Sequence, residues 1–446
     1  MAPRRTTSFQ NNDSVPMTSQ RFRAFYKDLA IIVLNTLLLV LLLNILLFGY
    51  FSIKDRSKAL SISDAQWTHL QKVYGDLNRD EVLRLQTEMS ARTFMYDPYT
   101  EFKERPFAGK YLTVDPNGFR PVKNQGPWPL NKEKYLTVFL FGGSTTFGYG
   151  VPDDQTIATY LQEYLSQASL GKEVRVYNFG CESYYSTQER ILFEQLIKAG
   201  SIPDVAIFID GVNDFWFYTD RPLFDENFKQ MFDGQSGRQS LSQVVQKIPM
   251  VRAARSIKAI VARALKPKPE QPSVDYKLLY QNENTFLNVI DHYVKNKEMI
   301  EAVASTHGIK TLFVWQPIST YKFDPDYNLF GKDAGSERDY GNGYPVMARF
   351  SKEHPLGENF LWAADMQEGV TEPLYVDTMH YSGRMSKMIA KFLYDALMQR
   401  KFFELKISSA STDSKNKLRT SSTKRSSQWP QLSGIFNQTD RSQLIK

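Results

Sequence analysis

The sequence predicts an α/β domain, a parallel sheet with helices on both faces, behind one N-terminal transmembrane helix. Three observations carry that expectation. Leu29 to Phe51 is a nearly unbroken apolar run. From Tyr135 onward, short apolar stretches alternate with longer amphipathic ones. The 446 residues are 42% hydrophobic and 13% aromatic, which supplies a sizeable core.

In the apolar run only Asn35, Thr36 and Asn44 are polar, and as a helix it is long enough for a hydrocarbon core of about 30 Å. The sequence SIKDRSKAL that follows lacks a small-residue cleavage site, so residues 29–51 are expected to be an uncleaved single-pass anchor in a lipid bilayer. Arg4, Arg5, Arg21, Arg23 and Lys27 precede the run, against Lys54, Arg56 and Lys58 after it. This bias puts 1–28 in the cytoplasm as a tail and the large domain outside, on the periplasmic side in a bacterium. Residues 52–105 read as a helical stalk or packing arm, with Trp67, Leu70, Val73, Tyr74 and Leu77 at helical spacing. A turn is expected at Asp115 to Gly118.

The main domain is expected over 106–402. Its strands are Tyr135 to Phe141, Val174 to Asn178, Asp204 to Asp210 and Thr311 to Gln316. Its helices are Thr156 to Ala168, Ser186 to Ala199, most of Tyr276 to His307, and Gly383 to Met398. Near-continuous apolar strands separated by helices imply a parallel sheet buried on both sides. An insertion over 215–275 has no clear strand. Within it Val251, Ala254, Ile257, Val261 and Leu265 fall on one side of a helix, with Arg252, Arg255, Lys258 and Arg263 off that side. Packing against the domain is the expected role of this basic amphipathic helix, with a lid or a membrane-facing surface as alternatives. Residues 403–446, rich in Ser, Thr and Lys, are expected to be a disordered basic tail.

A net charge of +7 is modest for this length, and no nucleic-acid-reading motif accompanies the basic clusters, so no nucleic-acid partner is expected. Cys181 is the one cysteine, which excludes an intramolecular disulfide; it reads as a small buried filler. No cofactor or metal is expected, and the oligomeric state is open.

Four pieces carry chemistry. Ser144 follows Gly142 and Gly143 where a strand ends and a helix begins, so its own amide is a candidate oxyanion donor. Gly180 lacks a side chain, and Asn213 has an NH2 group to donate. Asp377 lies three residues before His380, so one loop can present an imidazole as general base and a carboxylate to orient it. His69, His292 and His307 fall in or near helices and suit that role less.

In order and context these blocks resemble the SGNH (GDSL-like) hydrolase family, from roughly Asp115 to Leu397. The resemblance implies a three-layer, flavodoxin-like α/β fold, with Ser144 as nucleophile, Asp377 and His380 completing a triad, and Ser144, Gly180 and Asn213 around the oxyanion. The first block reads GGST, so Gly143 stands where the family's namesake motif GDSL has aspartate. The stretch from NGFR through GGSTTFGYGV also looks like membrane-anchored bacterial members that act on acyl groups of cell-surface polysaccharides. The expected function is therefore a membrane-anchored serine esterase on acyl esters, acetyl among them, with acylated polysaccharide as a candidate substrate. The alternatives are an O-acyltransferase using the same residues and a non-catalytic carbohydrate-binding or assembly protein.

Overall fold

The computed structural model describes residues 19–57, 62–217, 245, 248–265, 276–330 and 339–403. Most of the 1–28 tail, much of the 215–275 insertion and the tail from 404 lie outside the described residues.

The long helix Ser19–Ser57 extends the expected span at both ends. Its stretch Arg21–Ser52 is long and apolar enough to cross a membrane, and its leucines and isoleucines other than Leu47 are exposed. Helices Asp64–Tyr74 and Arg79–Ala91 follow as two elements, each opened by a capping box: Ser63 with Gln66, and Asn78 with Glu81. Both helices pack on the main domain. Leu70, Tyr74, Val82, Leu85 and Met89 are buried in one cluster with Phe147, Val151 and Val376 of the main domain, and the Tyr74 hydroxyl donates to the Gly150 carbonyl at 2.7 Å. Two antiparallel pairs lead into the domain, β1 (Phe94–Asp97) with β2 (Glu101–Glu104), and β3 (Phe107–Ala108) with β4 (Thr113–Val114).

The central sheet comprises β5 (Tyr135–Gly142), β6 (Glu173–Asn178), β7 (Val205–Asp210), β8 (Lys310–Trp315) and β9 (Phe360–Trp362). All pairs are parallel, in the order β6-β5-β7-β8-β9. Numbered within this sheet the order is 2-1-3-4-5, the flavodoxin-like order, whose progression across the sheet reverses between β5 and β7. Open α/β sheets hold their ligands at the carboxyl ends flanking that reversal.

Alternate side chains sort the core into layers. Val138, Leu140, Ile207, Ile209, Leu312 and Val314 face a cluster shared with helices Ile157–Ser166 and Gly383–Gln399. Phe139, Phe141, Phe208 and Phe313 face the opposite side, with Phe193 of helix Ser186–Lys198 and Ile300 of helix Glu283–Thr306. On that side Phe141, Phe208 and Phe313 form a stacked ladder across three strands, with centroids 4.8 and 5.2 Å apart. The expected strands and helices are thus present within a residue or two at most ends. Strand β9 and helix Gly343–Glu353 are additions.

Candidate active site

Ser144 is the first residue after the turn that ends β5, opening the short helix Ser144–Phe147. Its side chain meets a loop from the far end of the chain. His380 Nε2 lies 2.9 Å from Ser144 Oγ, and His380 Nδ1 lies 2.7 Å from Asp377 Oδ2. The other carboxylate oxygen, Asp377 Oδ1, accepts from the amides of Met379 at 2.8 Å and His380 at 2.7 Å. Burial alone would raise the Asp377 pKa, but the adjacent imidazole and these two amides bring it below the usual carboxylate range. The loop itself is pinned: the Val376 amide donates to the His380 carbonyl at 2.8 Å, and the Ser319 hydroxyl donates to the Thr378 carbonyl. Tyr149 lies against the imidazole, with ring centroids 4.3 Å apart. Ser144 is only 4% exposed.

Asn213 sits in helix Val212–Trp216, directly after β7 across the sheet reversal. One hydrogen of its Nδ2 goes to the Tyr184 carbonyl at 2.7 Å, which leaves the second for a ligand. A Cβ placed on Gly143 would lie 2.2 Å from Asn213 Nδ2 and 3.0 Å from the Tyr184 carbonyl oxygen. That close approach gives a steric reason for glycine before the serine here: an aspartate at position 143 would displace Asn213.

Gly180 requires a correction. Its amide is taken by Asn178 Oδ1 at 3.0 Å, and a Cβ there would lie 2.3 Å from the Phe147 amide nitrogen. The glycine is demanded by packing between the loop and helix Ser144–Phe147, so Gly180 is not an available oxyanion donor. The residue missed from sequence is Ser183. It occupies the third position of the turn Cys181 to Tyr184, closed by the Tyr184 amide on the Cys181 carbonyl at 3.1 Å, with φ +67°. Left-handed backbone at a non-glycine residue is strained, and such strain gathers at ligand sites. The loop is tied to the end of β5 by the Cys181 amide on the Gly142 carbonyl at 3.0 Å. Among the described residues, no acceptor takes the amides of Ser183 or Ser144. Nothing in the sequence signalled this, because a serine at a position that favours glycine leaves no cue.

Beneath Asn213 lie three buried carboxyls, Glu189, Asp210 and Asp214. Burial first, and then mutual repulsion, pushes Glu189 and Asp210 well above the carboxylate range. Burial also pushes Asp214 up to about 6, against hydrogen bonds from Ser186 and the Gly211 amide. Among the described residues no N–H or hydroxyl reaches either oxygen of Glu189 or Oδ1 of Asp210; a proton shared by the two carboxyls satisfies both. A raised folded-state pKa means that the folded chain keeps protons the unfolded chain releases above about pH 4.5. Their stabilising contribution is therefore full below that pH and is lost as pH rises through the raised values. Glu189→Gln, which keeps a neutral donor for Asp210, should raise the melting temperature relative to wild type, with a gain that grows as the pH rises above about 4.5. A gain independent of pH would show that Glu189 carries no extra proton.

Cys181 is buried, its thiol pushed up chiefly by burial, as suits a filler. Among the described residues no cluster of His, Cys, Asp or Glu is arranged to hold a metal ion.

Residues 140–331 match the model of the GDSL-like lipase/acylhydrolase family. Solved structures similar to this chain include a member of the lipolytic protein G-D-S-L family from Veillonella parvula. It is 11% identical over 59% of this chain and 97% of its own, with a TM-score of 0.31. Another is Axe2, an acetylxylan esterase from Geobacillus stearothermophilus, 12% identical over 59% of this chain and 94% of its own, also with a TM-score of 0.31. No curated protein matches the chain.

Proposed function

We propose, for a chain that belongs through residues 140–331 to the GDSL-like lipase/acylhydrolase family, that it is a membrane-anchored serine esterase with Ser144 as nucleophile. The observation that carries this reading is the unbroken relay from Asp377 through His380 to Ser144, at 2.7 and 2.9 Å. Ser144 Oγ attacks the ester carbonyl as its proton passes to His380 Nε2, and Asp377 holds the imidazole and offsets its charge. The oxyanion is received by the amides of Ser144 and Ser183 and by the free hydrogen of Asn213 Nδ2. Collapse expels the alcohol with the proton from His380 and leaves acyl-Ser144. Water then releases the acid by the same relay.

The apolar helix Ser19–Ser57 is the proposed anchor, with residues after it outside the cytoplasm in accord with the charge bias. An anchored site of this kind suits acyl esters, acetyl among them, on polysaccharide at the cell surface. A fluorophosphonate probe should attach covalently to the Ser144 peptide, and acetylated polysaccharide should release acetate. A probe adduct on another residue would overturn the assignment.

Asn213→Ala removes one donor at the developing charge and should lower kcat by about 10²- to 10³-fold with little change in KM. The stability change should be smaller, although the loop loses its tie at Tyr184. Wild-type kcat in the folded variant would take Asn213 out of the oxyanion hole.

A further inference from the structure

The basic amphipathic helix Pro249–Leu265 is not absorbed by the esterase reading. It meets the long N-terminal helix: the Met250 amide donates to Asn44 Oδ1 at 3.2 Å, and the Arg252 guanidinium sits 4.2 Å from the Phe51 ring centroid. Phe51 closes the apolar run, and Asn44 lies about 10 Å inside it at the helical rise. That depth matches the 5–10 Å or so to which interfacial helices settle at the boundary of headgroups and acyl chains.

The helix also carries the composition of such an element. Met250, Ala254, Ile257 and Val261 recur at helical spacing, and all four are exposed, Ile257 at 62% and Val261 at 46%. Arg252, Arg255 and Lys258 are exposed around the rest of the surface. A water-facing stripe of this kind beside the end of a span is unfavourable unless lipid covers it.

We propose that this helix lies in the outer headgroup layer and docks the insertion that follows the Asn213 block onto an anionic phospholipid surface. The apolar stripe enters the acyl boundary, and Arg252, Arg255 and Lys258 meet lipid phosphates. Anionic lipid is the occupant because the helix carries four basic residues, Arg252, Arg255, Lys258 and Arg263, and no acidic one. The proposal rests on the reading of Ser19–Ser57 as a span, and the test separates the two.

The full chain is placed in lipid nanodiscs of phosphatidylcholine alone, or of phosphatidylcholine and phosphatidylglycerol in equal parts. A polarity-sensitive fluorophore is attached at Ile257→Cys, Lys258→Cys or Leu38→Cys; the one native thiol, Cys181, is buried. In the anionic discs the Ile257 label should be blue-shifted and quenched by bromolipid, while the Lys258 label stays accessible to iodide. Changing Arg252, Arg255 and Lys258 together to Gln in the Ile257→Cys chain should lower the ratio of docked to undocked helix by about 10²-fold, the product of three cations at a charged surface. An Ile257 label open to iodide in both lipids, while Leu38 is quenched by bromolipid, overturns the interfacial helix and leaves the span standing. If Leu38 too escapes quenching, both readings fall. An Ile257 label shielded from iodide without bromolipid quenching means that protein covers the stripe, and this also overturns the proposal.

Discussion

Ser144→Ala should lower kcat on a confirmed ester by about 10⁴- to 10⁶-fold and abolish the fluorophosphonate adduct, with the fold unchanged. The size of the effect follows from the relay. With no hydroxyl 2.9 Å from His380 Nε2, the imidazole has only water to activate, and the acyl-enzyme route closes. What remains is the oxyanion donors acting on bound substrate, whose residual rate is far above that in water but small beside the full mechanism. His380→Ala should cost a similar factor, and the double variant Ser144→Ala/His380→Ala little more than either alone, because members of a relay act as one unit. Asp377→Asn should fall by about 10⁴-fold through the wrong imidazole tautomer. Single-turnover and steady-state kinetics, with circular dichroism as the fold control, decide this. A Ser144→Ala variant within about tenfold of wild-type kcat, or losses that multiply in the double variant, would rule out a nucleophilic Ser144.

Much of the frame can be read from sequence because burial on both faces leaves its mark on the strands. β5 and β7 are near-continuous apolar runs, and each ends in the glycine-containing turn that carries a site residue. Asp377 and His380 could be paired from sequence, since three residues in one loop suffice for both the Nδ1 contact and the amide contacts. The contact of His380 with Ser144 spans most of the chain, and only the resemblance to a family joined them beforehand. Other features left no readable trace. β9 is three residues long with a single buried side chain, Leu361, too short for a periodic signal. Helix Gly343–Glu353 begins with glycine and has Pro345 in its first turn, which reads as a breaker although proline is tolerated there. Gly180 drew attention for its missing side chain, but that space is filled by the Phe147 backbone. Ser183, strained into the left-handed region, carries no cue in the sequence. Acidic residues are usually solvated, so nothing marked Glu189, Asp210 and Asp214 as buried.

The second large effect lies in the arm, and it again depends on contacts distant in sequence. Arg92 follows helix Arg79–Ala91 with its side chain only 3% exposed, paired to Glu104 and, at 2.6 Å, to Glu182. Its guanidinium stands 4.3 Å over the Phe147 ring, in the helix that begins with Ser144. Burial works against its charge, and the two carboxylates more than offset that. Arg92→Ala leaves Glu104 buried without its ion-pair partner, a situation that costs about 3–5 kcal/mol. Breaking the pair from the other side, Glu104→Ala, should cost less, because Arg92 keeps Glu182 as a partner at 2.6 Å. The double variant Arg92→Met/Glu104→Leu should recover most of the loss, because an apolar replacement of the whole pair removes the desolvation penalty with the attraction. Glu182 precedes Ser183 in the oxyanion-side turn and is held by Arg92 at 2.6 Å, so Arg92→Ala should also lower kcat in the fraction that remains folded. Denaturant unfolding of the four chains at one pH gives the three stability differences directly. Single losses below about 1 kcal/mol would place this pair with weak surface bridges and remove the arm from the support of the active-site loop.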